Sequence, residues 1–288
     1  MRLLRIWVVS SRPLSWVNTA FPFALAYYAV TREVDLWWVI GSVFFLVPYN
    51  FLMYGINDVF DYESDVRNPR KGGIEGALLP PETHTATVIA STLLPVPFVA
   101  ALVAVGSIEA TGVLALALLS VVVYSAKHVR FKEVPVLDSI TSSLHFVLPA
   151  LYGILLAGGR VDALAFSLIL AFFFWGMASH AFGAVQDVLA DRDAGVASIA
   201  TAIGAKNTVR LAWGLYAAAG TVMAFTPWPL SLIGLAALGY LAAISPWWSV
   251  SDEASPSANR GWRWFLLLNF LSGALVVLVT LEWWRLHP

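Results

Sequence analysis

The chain has 288 residues, 59% of them hydrophobic and 12% charged, with a formal net charge of −1. An ordinary soluble domain carries about 25% charged residues, so with a mean hydropathy of +0.75 the composition excludes a soluble globular protein and points to a polytopic membrane protein. There is no cysteine, which rules out disulfides, thiolate chemistry and cysteine-ligated zinc; nor is there a basic surface of the kind that binds nucleic acid.

The N-terminus, Met1-Arg2-Leu3-Leu4-Arg5, is basic and then apolar. No small-residue cleavage site follows it, so the apolar run from Leu14 is read as a retained first span. A bilayer crossing takes roughly 20 mostly apolar residues. That rule gives nine transmembrane helices, near Leu14–Val30, Leu36–Ile56, Thr87–Val105, Glu109–Tyr124, Ser139–Ala157, Ala163–Ala181, Val209–Phe225, Leu230–Ser245 and Trp262–Leu281. Pro95 and Pro97 fall inside the third, where they predict a kink or a loosened turn. No hydrophilic segment stands apart, so residues 1–288 read as a single all-α transmembrane domain. With nine spans, every lysine and arginine except Arg32, Arg160 and Arg285 lies on one face. The positive-inside rule makes that face cytoplasmic, in a multi-pass cell-membrane protein with its N-terminus inside and its C-terminus outside.

Two acidic stretches carry the chemistry. Asn57-Asp58-Val59-Phe60-Asp61-Tyr62-Glu63-Ser64-Asp65 follows the second span, and Asp58, Asp61 and Asp65 have the i, i+3, i+7 spacing of one helix face. Gln186-Asp187-Val188-Leu189-Ala190-Asp191-Arg192-Asp193 follows the sixth, with Asp187 and Asp191 one turn apart. An even number of spans separates the two, so both are expected on the cytoplasmic face. Carboxylates gathered at a membrane rim are costly without a cation between them. Hard oxygen donors suit Mg2+, which shares phosphate oxygens with a substrate and neutralises charge on a departing diphosphate. The expected metal ligands are Asn57, Asp58, Asp61, Asp65, Asp187 and Asp191. Arg12, Arg67, Lys71, Lys127, Arg130 and Lys132, together with Asn57, are candidates for diphosphate binding. An apolar cavity below would hold a hydrocarbon and keep water from a carbocation. This combination suits an isoprenyl diphosphate and a lipid-soluble acceptor. Tyr124 could face the allylic cation with its ring, and His145 or His180 could take a proton; aromatic packing and helix-packing histidines are the competing readings.

The pattern Asn57-Asp58-x-x-Asp61-x-x-x-Asp65 with Asp187-x-x-x-Asp191, over nine spans, resembles the UbiA superfamily of intramembrane prenyltransferases along essentially the whole chain. The resemblance implies a UbiA-like helical bundle, cytoplasmic cap loops over a Mg2+–diphosphate site, and transfer through ionisation of the prenyl diphosphate, with Asp58, Asp61, Asp187 and Asp191 as catalytic residues. Ser11-Arg12-Pro13-Leu14-Ser15-Trp16, the stretch Tyr54–Asp65, Arg67-Asn68-Pro69-Arg70-Lys71-Gly72-Gly73, and Trp175-Gly176-Met177-Ala178-Ser179-His180 are most similar to the lycopene elongases of carotenoid biosynthesis. Such enzymes take dimethylallyl units from dimethylallyl diphosphate and add them to the ends of lycopene, giving fifty-carbon carotenoids; other carotenoid-pathway enzymes are then possible partners. The family's Tyr-x-x-x-Lys signature is altered here: Lys127 lies at plus three from Tyr124, and His128 at plus four, which brings in Arg130 or Lys132 as the phosphate contact instead. The competing readings are a UbiA-type enzyme acting on a quinone precursor, haem or a glycerol lipid, and a cation transporter. A transporter places acids near the bilayer midplane, whereas these cluster at span ends.

Overall fold

Runs of apolar residues too long for a soluble helix, punctuated by proline, glycine and short polar stretches, fold into helices throughout the computed structural model, which describes residues 2–66 and 77–287. Among the described residues there is no strand. In chain order the α-helices are α1 (Arg2–Ser10), α2 (Val17–Thr31), α3 (Leu36–Leu46), α4 (Pro48–Phe60), α5 (Tyr62–Asp65), α6 (His84–Leu93), α7 (Val96–Val105), α8 (Ile108–Ser125), α9 (Leu137–Leu156), α10 (Ala163–Val185), α11 (Val188–Ala194), α12 (Ile199–Ile203), α13 (Ala205–Ala224), α14 (Ala236–Ile244) and α15 (Asn259–Leu286).

Seven described helical stretches are long and apolar enough to cross a membrane: Leu36–Phe60, Pro81–Val105, Ile108–Ser125, Leu137–Leu156, Ala163–Val185, Leu230–Trp247 and Ser255–Leu286. Helices also lie where the first and seventh spans are expected, but α2 has only 15 residues, and α13 carries Lys206 and Arg210 in its opening turns. The Pro95–Pro97 stretch does interrupt its helix, ending α6 at Leu93 and starting α7 at Val96.

The chain divides into two compact units. The first takes in Met1–Phe131 and Leu144–Val161. Its core is an aromatic cluster in which Phe45 lies 5.2 Å from Phe23, 4.8 Å from Phe44 and 5.1 Å from Tyr49, ring centre to ring centre. Close helix approach depends on small residues: a Cβ on Gly153 of α9 would lie 2.7 Å from the Phe23 carbonyl of α2. The span Leu36–Phe60 is broken at Val47, because Pro48 has no N–H to continue the ladder. The freed carbonyls are met from inside the protein. Buried Asn50 shares its Nδ2 hydrogens among the Phe45 carbonyl (2.8 Å), the Leu46 carbonyl (3.1 Å) and Thr19 Oγ1 (2.7 Å). Unsatisfied backbone groups at membrane depth are costly, so Asn50→Leu is expected to destabilise the protein by about 2 kcal/mol, read as a lowered unfolding midpoint in detergent.

The second unit takes in Lys132–Ser143 and Asp162–Pro288. α10 packs along α13. Its core includes a stacked Tyr216–Tyr240 pair at 4.9 Å and a stacked Trp262–Phe265 pair at 4.4 Å. The Ser179 and Tyr216 hydroxyls are hydrogen-bonded at 3.0 Å. Along α15, Trp264, Leu267, Phe270, Leu271 and Leu278 are exposed, as suits a helix facing lipid.

Candidate active site

The first acidic motif closes α4. Its backbone stays helical past Phe60: the Asp61 N–H reaches the Asn57 carbonyl and the Asp65 N–H reaches that of Asp61. Both bonds have the helical four-residue spacing. Asp58 is fully buried, and its two oxygens have separate partners. Oδ2 accepts from Ser10 Oγ at 2.9 Å, and Oδ1 accepts from Arg12 Nη2 at 3.0 Å. The Arg12 guanidinium also lies over the Tyr54 ring, 4.2 Å from its centre. Burial pulls the guanidinium pKa down, but the charges of Asp58, Tyr54 and Asp65 outweigh it and hold Arg12 above its ordinary value. Asp61 accepts from Arg130 Nη2 at 3.2 Å, while Arg130 Nη1 donates to the Phe60 carbonyl at 3.3 Å. Asn57 Oδ1 accepts from Ser125 Oγ at 3.0 Å. Asp65 is buried and Glu63 is exposed.

Each of the two aspartates flanking the end of α4 thus has its own arginine. Both arginines have left-handed backbones, with φ 53 at Arg12 and φ 42 at Arg130. A non-glycine residue in that region costs roughly 1–2 kcal/mol and persists where its surroundings over-determine it. In the loop after α8, Lys127 is exposed and Lys132 half-buried. Arg130 is a loop cation that pairs with the motif, as the shifted Tyr124–Lys127 spacing allowed. Arg67 and Lys71 lie outside the described residues. The rings of Tyr124 and buried His145 form a T-shaped pair, with ring centres 5.1 Å apart and planes at 82°.

The second motif is built separately, in the other unit. Asp187 is the residue before α11, and the Asp191 N–H returns to its carbonyl at 2.8 Å. Both side chains are half-buried, while Asp193 is exposed. Gly195 ends α11 with φ 71, the left-handed turn that glycine makes without strain. The helix is held at both ends. Before it, Gln186 Oε1 accepts from Asn259 Nδ2 at 2.6 Å. Near its end, Arg192 Nη1 lies 2.7 Å from Asp252 Oδ2, and Asp252 Oδ1 accepts the Ala205 N–H at 2.7 Å. That N–H and Arg192 hold the Asp252 carboxyl below its ordinary value against a partial burial that raises it. A depressed folded-state pKa contributes stability that is present above the unfolded pKa and is lost as pH falls through the folded one. The midpoint difference between the protein and Asp252→Asn is therefore expected in full at neutral pH, should begin to shrink only as pH falls to about 4, and should be lost once pH is below the depressed folded-state value, measured by thermal unfolding in detergent at stepped pH.

Sequence reasoning missed several partners. Ser10, Tyr54, Ser125 and Asp252 carry no pattern that marks them. Asp138 does carry one: it is an acid in the opening turn of a span, where an ionisable group signals function by default. Its carboxylate is fully buried, with Oδ2 3.6 Å from Nε2 of His180.

The first motif offers only hard oxygen donors, the Asn57 amide and the Asp58 and Asp61 carboxylates, and that donor set fits Mg2+ rather than a softer ion. Among the described residues, no three His, Asp or Glu side chains are close enough to hold a metal by themselves.

Residues 17–273 match the model of the UbiA prenyltransferase family. The chain is 52% identical over 273 residues to the C(50) beta-cyclic carotenoids biosynthesis protein LbtBC of Dietzia sp. (strain CQ4), covering 94% of this chain but 63% of that protein. It is 47% identical over 279 residues to a lycopene elongase/hydratase of Corynebacterium glutamicum, covering 97% of each. A UbiA homolog from Archaeoglobus fulgidus, solved with DMAPP and Mg2+, has the same fold, with a TM-score of 0.70 at 20% identity over 93% of this chain and 99% of that one. The chain belongs to the UbiA prenyltransferase family.

Proposed function

We propose that this protein is a membrane prenyltransferase that moves a dimethylallyl group from dimethylallyl diphosphate onto the ends of lycopene, with Mg2+. The observation that carries the chemistry is the pairing of Asp58 with Arg12 and of Asp61 with Arg130 at the end of one helix. It puts oxygen donors for a cation beside guanidinium groups for phosphate. The full-length likeness to a lycopene elongase/hydratase supports the acceptor, and the DMAPP- and Mg2+-bound relative supports the donor.

Asn57, Asp58, Asp61, Asp187 and Asp191 would hold the ion, with Asp65 at the edge. When bound, Mg2+ neutralises charge that develops on the departing diphosphate. Arg12 and Arg130 present N–H groups to phosphate oxygens, supported by Arg67, Lys71, Lys127 and Lys132. Their carboxylate partners fix the direction of both forks before substrate arrives, which lowers the ordering cost of binding. Tyr124, whose ring meets that of His145 nearly at right angles, would turn a π face to the allylic cation. The even number of expected spans between the motifs is the reason for assigning Asp187 and Asp191 to the same diphosphate. The same count gives nine spans in a single domain, an N-terminus and motif loops in the cytoplasm, and a C-terminus outside.

The test uses purified protein in detergent with dimethylallyl diphosphate, Mg2+ and an equimolar mixture of lycopene and an aromatic quinone precursor. Lycopene should gain one and then two five-carbon units. Prenylation of the aromatic compound with lycopene untouched would overturn the acceptor assignment.

A further inference from the structure

The carboxylates at the end of α4 are engaged by cations of the protein's own. Asp58 has no side-chain exposure. Its Oδ1 accepts from Arg12 Nη2 at 3.0 Å and its Oδ2 from Ser10 Oγ at 2.9 Å. Asp61 Oδ1 accepts from Arg130 Nη2 at 3.2 Å. All of these groups lie in the first unit. A divalent cation at either carboxylate therefore meets a guanidinium within hydrogen-bond distance of the same side chain. Burial of Asp58 and partial burial of Asp61 keep solvent screening low, so that repulsion is felt more strongly than in bulk water. The converse holds for a diphosphate without a metal, whose oxygens would reach Arg12 or Arg130 only beside a carboxylate of the same sign.

Both guanidinium groups are held by more than their carboxylates. Arg12 lies over the Tyr54 ring, in a corner fixed on either side. Trp16 Nε1 donates to the Ser11 carbonyl at 3.0 Å, and Trp7 Nε1 donates to Thr87 Oγ1 at 3.1 Å. Arg130 Nη1 donates to the Phe60 carbonyl at 3.3 Å. Each arginine can therefore exchange its carboxylate acceptor for another anion without leaving its place. Arg12 also has donor capacity that Asp58 does not use: among the described residues its buried Nε–H has no hydrogen-bond partner, which is costly for a buried donor.

We propose that Arg12 and Arg130 make the site specific for a diphosphate and a divalent cation together, by opposing the binding of either one alone. This rests on the diphosphate-site reading above. When both arrive, each arginine passes a hydrogen bond from carboxylate to phosphate oxygen, and Asp58 and Asp61 become available to the cation. Every charge on the protein then faces its opposite. With the cation alone, the arginines stay beside it and repel it. With the diphosphate alone, the carboxylates do the same. The two ligands are thus coupled through the arginines, and by linkage each strengthens the binding of the other equally.

The test is calorimetric titration of the purified protein with Mg2+ alone, and with inorganic diphosphate at saturating Mg2+, after subtracting the heat of the two ions pairing in buffer. Arg130 is the residue to change, because its pair with Asp61 is partly exposed and its loss costs little stability. Arg130→Gln should bind Mg2+ alone at least about fivefold more tightly than the unaltered protein, and diphosphate with Mg2+ at least about tenfold more weakly. Arg130→Met serves as a second uncharged variant if the first does not fold. Arg130→Lys keeps the charge without the fork, so its affinity for Mg2+ alone should stay within about twofold of the unaltered protein. An arginine that served only as a phosphate ligand or a structural support would not tighten Mg2+ binding when removed. Unchanged or weaker binding of Mg2+ alone in the uncharged variant therefore overturns the proposal. So does an Arg130→Lys protein that tightens as much as Arg130→Gln. If the unaltered protein binds no diphosphate at any Mg2+ concentration, the diphosphate-site reading itself fails, and this assignment with it.

Discussion

Asp61→Asn is expected to lower turnover at least about a thousandfold while leaving a folded protein. Asparagine keeps the size of the side chain and one oxygen, so helix α4 loses little packing. What it loses is the negative charge, at a position that pairs with Arg130 and is assigned to the ion that neutralises the leaving group. Electrostatic stabilisation of developing charge is commonly worth a factor of 10²–10³ per group, and a lost metal ligand adds to that. The stability cost is small, because the pair is partly exposed: Arg130 and Asp61 side chains are 25% and 12% accessible, and such pairs contribute about 1 kcal/mol or less. Diphosphate release and unfolding midpoint, measured on the same preparation, separate the two effects. Asp187→Asn should behave alike. Normal turnover in both variants would sink the metal assignment.

Arg12 has the opposite profile, with a large stability cost and a large catalytic one. Its partner Asp58 is fully buried, and removing one member of a buried ion pair strands the other at a cost of about 3 kcal/mol. Arg12→Ala should therefore lower the unfolding midpoint strongly and raise KM for the prenyl diphosphate, because a phosphate contact is lost with the charge. Arg12→Gly should lose the same phosphate contact and yet be more stable than Arg12→Ala by about 1 kcal/mol, because glycine adopts the left-handed backbone at φ 53 without a Cβ penalty. Equal stabilities for alanine and glycine would show that this backbone conformation carries no strain.

Much of the helical architecture could be read from the chain because apolar run length and proline placement are local properties. The Pro95 interruption follows directly from a missing N–H. The break at Val47 was not anticipated, although Pro48 has the same chemistry, because the surrounding run is apolar enough to pass as one uninterrupted span. The repair depends on Asn50, whose side chain reaches back to Phe45 and Leu46, and no periodicity marks such a role. The same contrast holds at the site. Helical spacing placed Asp58, Asp61 and Asp65 on one face, but it could not single out Arg12 as the cation opposite Asp58, 46 residues earlier in the chain. It also could not choose among Lys127, Arg130 and Lys132, since that choice depends on a loop whose path includes left-handed turns at His128 and Arg130. Asp138 was within reach of the rule that charges inside spans are functional, but it sits in the first turn of α9, where it resembles an ordinary helix-start acid.

The central claim is that the acids and arginines at the end of α4 form a Mg2+-dependent diphosphate site. Calorimetric titration of the purified protein with inorganic diphosphate tests it without reference to the acceptor. Binding should require Mg2+, disappear on chelation, and weaken at least about tenfold in Asp61→Asn, the equivalent of about 1.4 kcal/mol. Diphosphate that binds equally well with and without Mg2+, or equally to the Asp61→Asn protein, would contradict it.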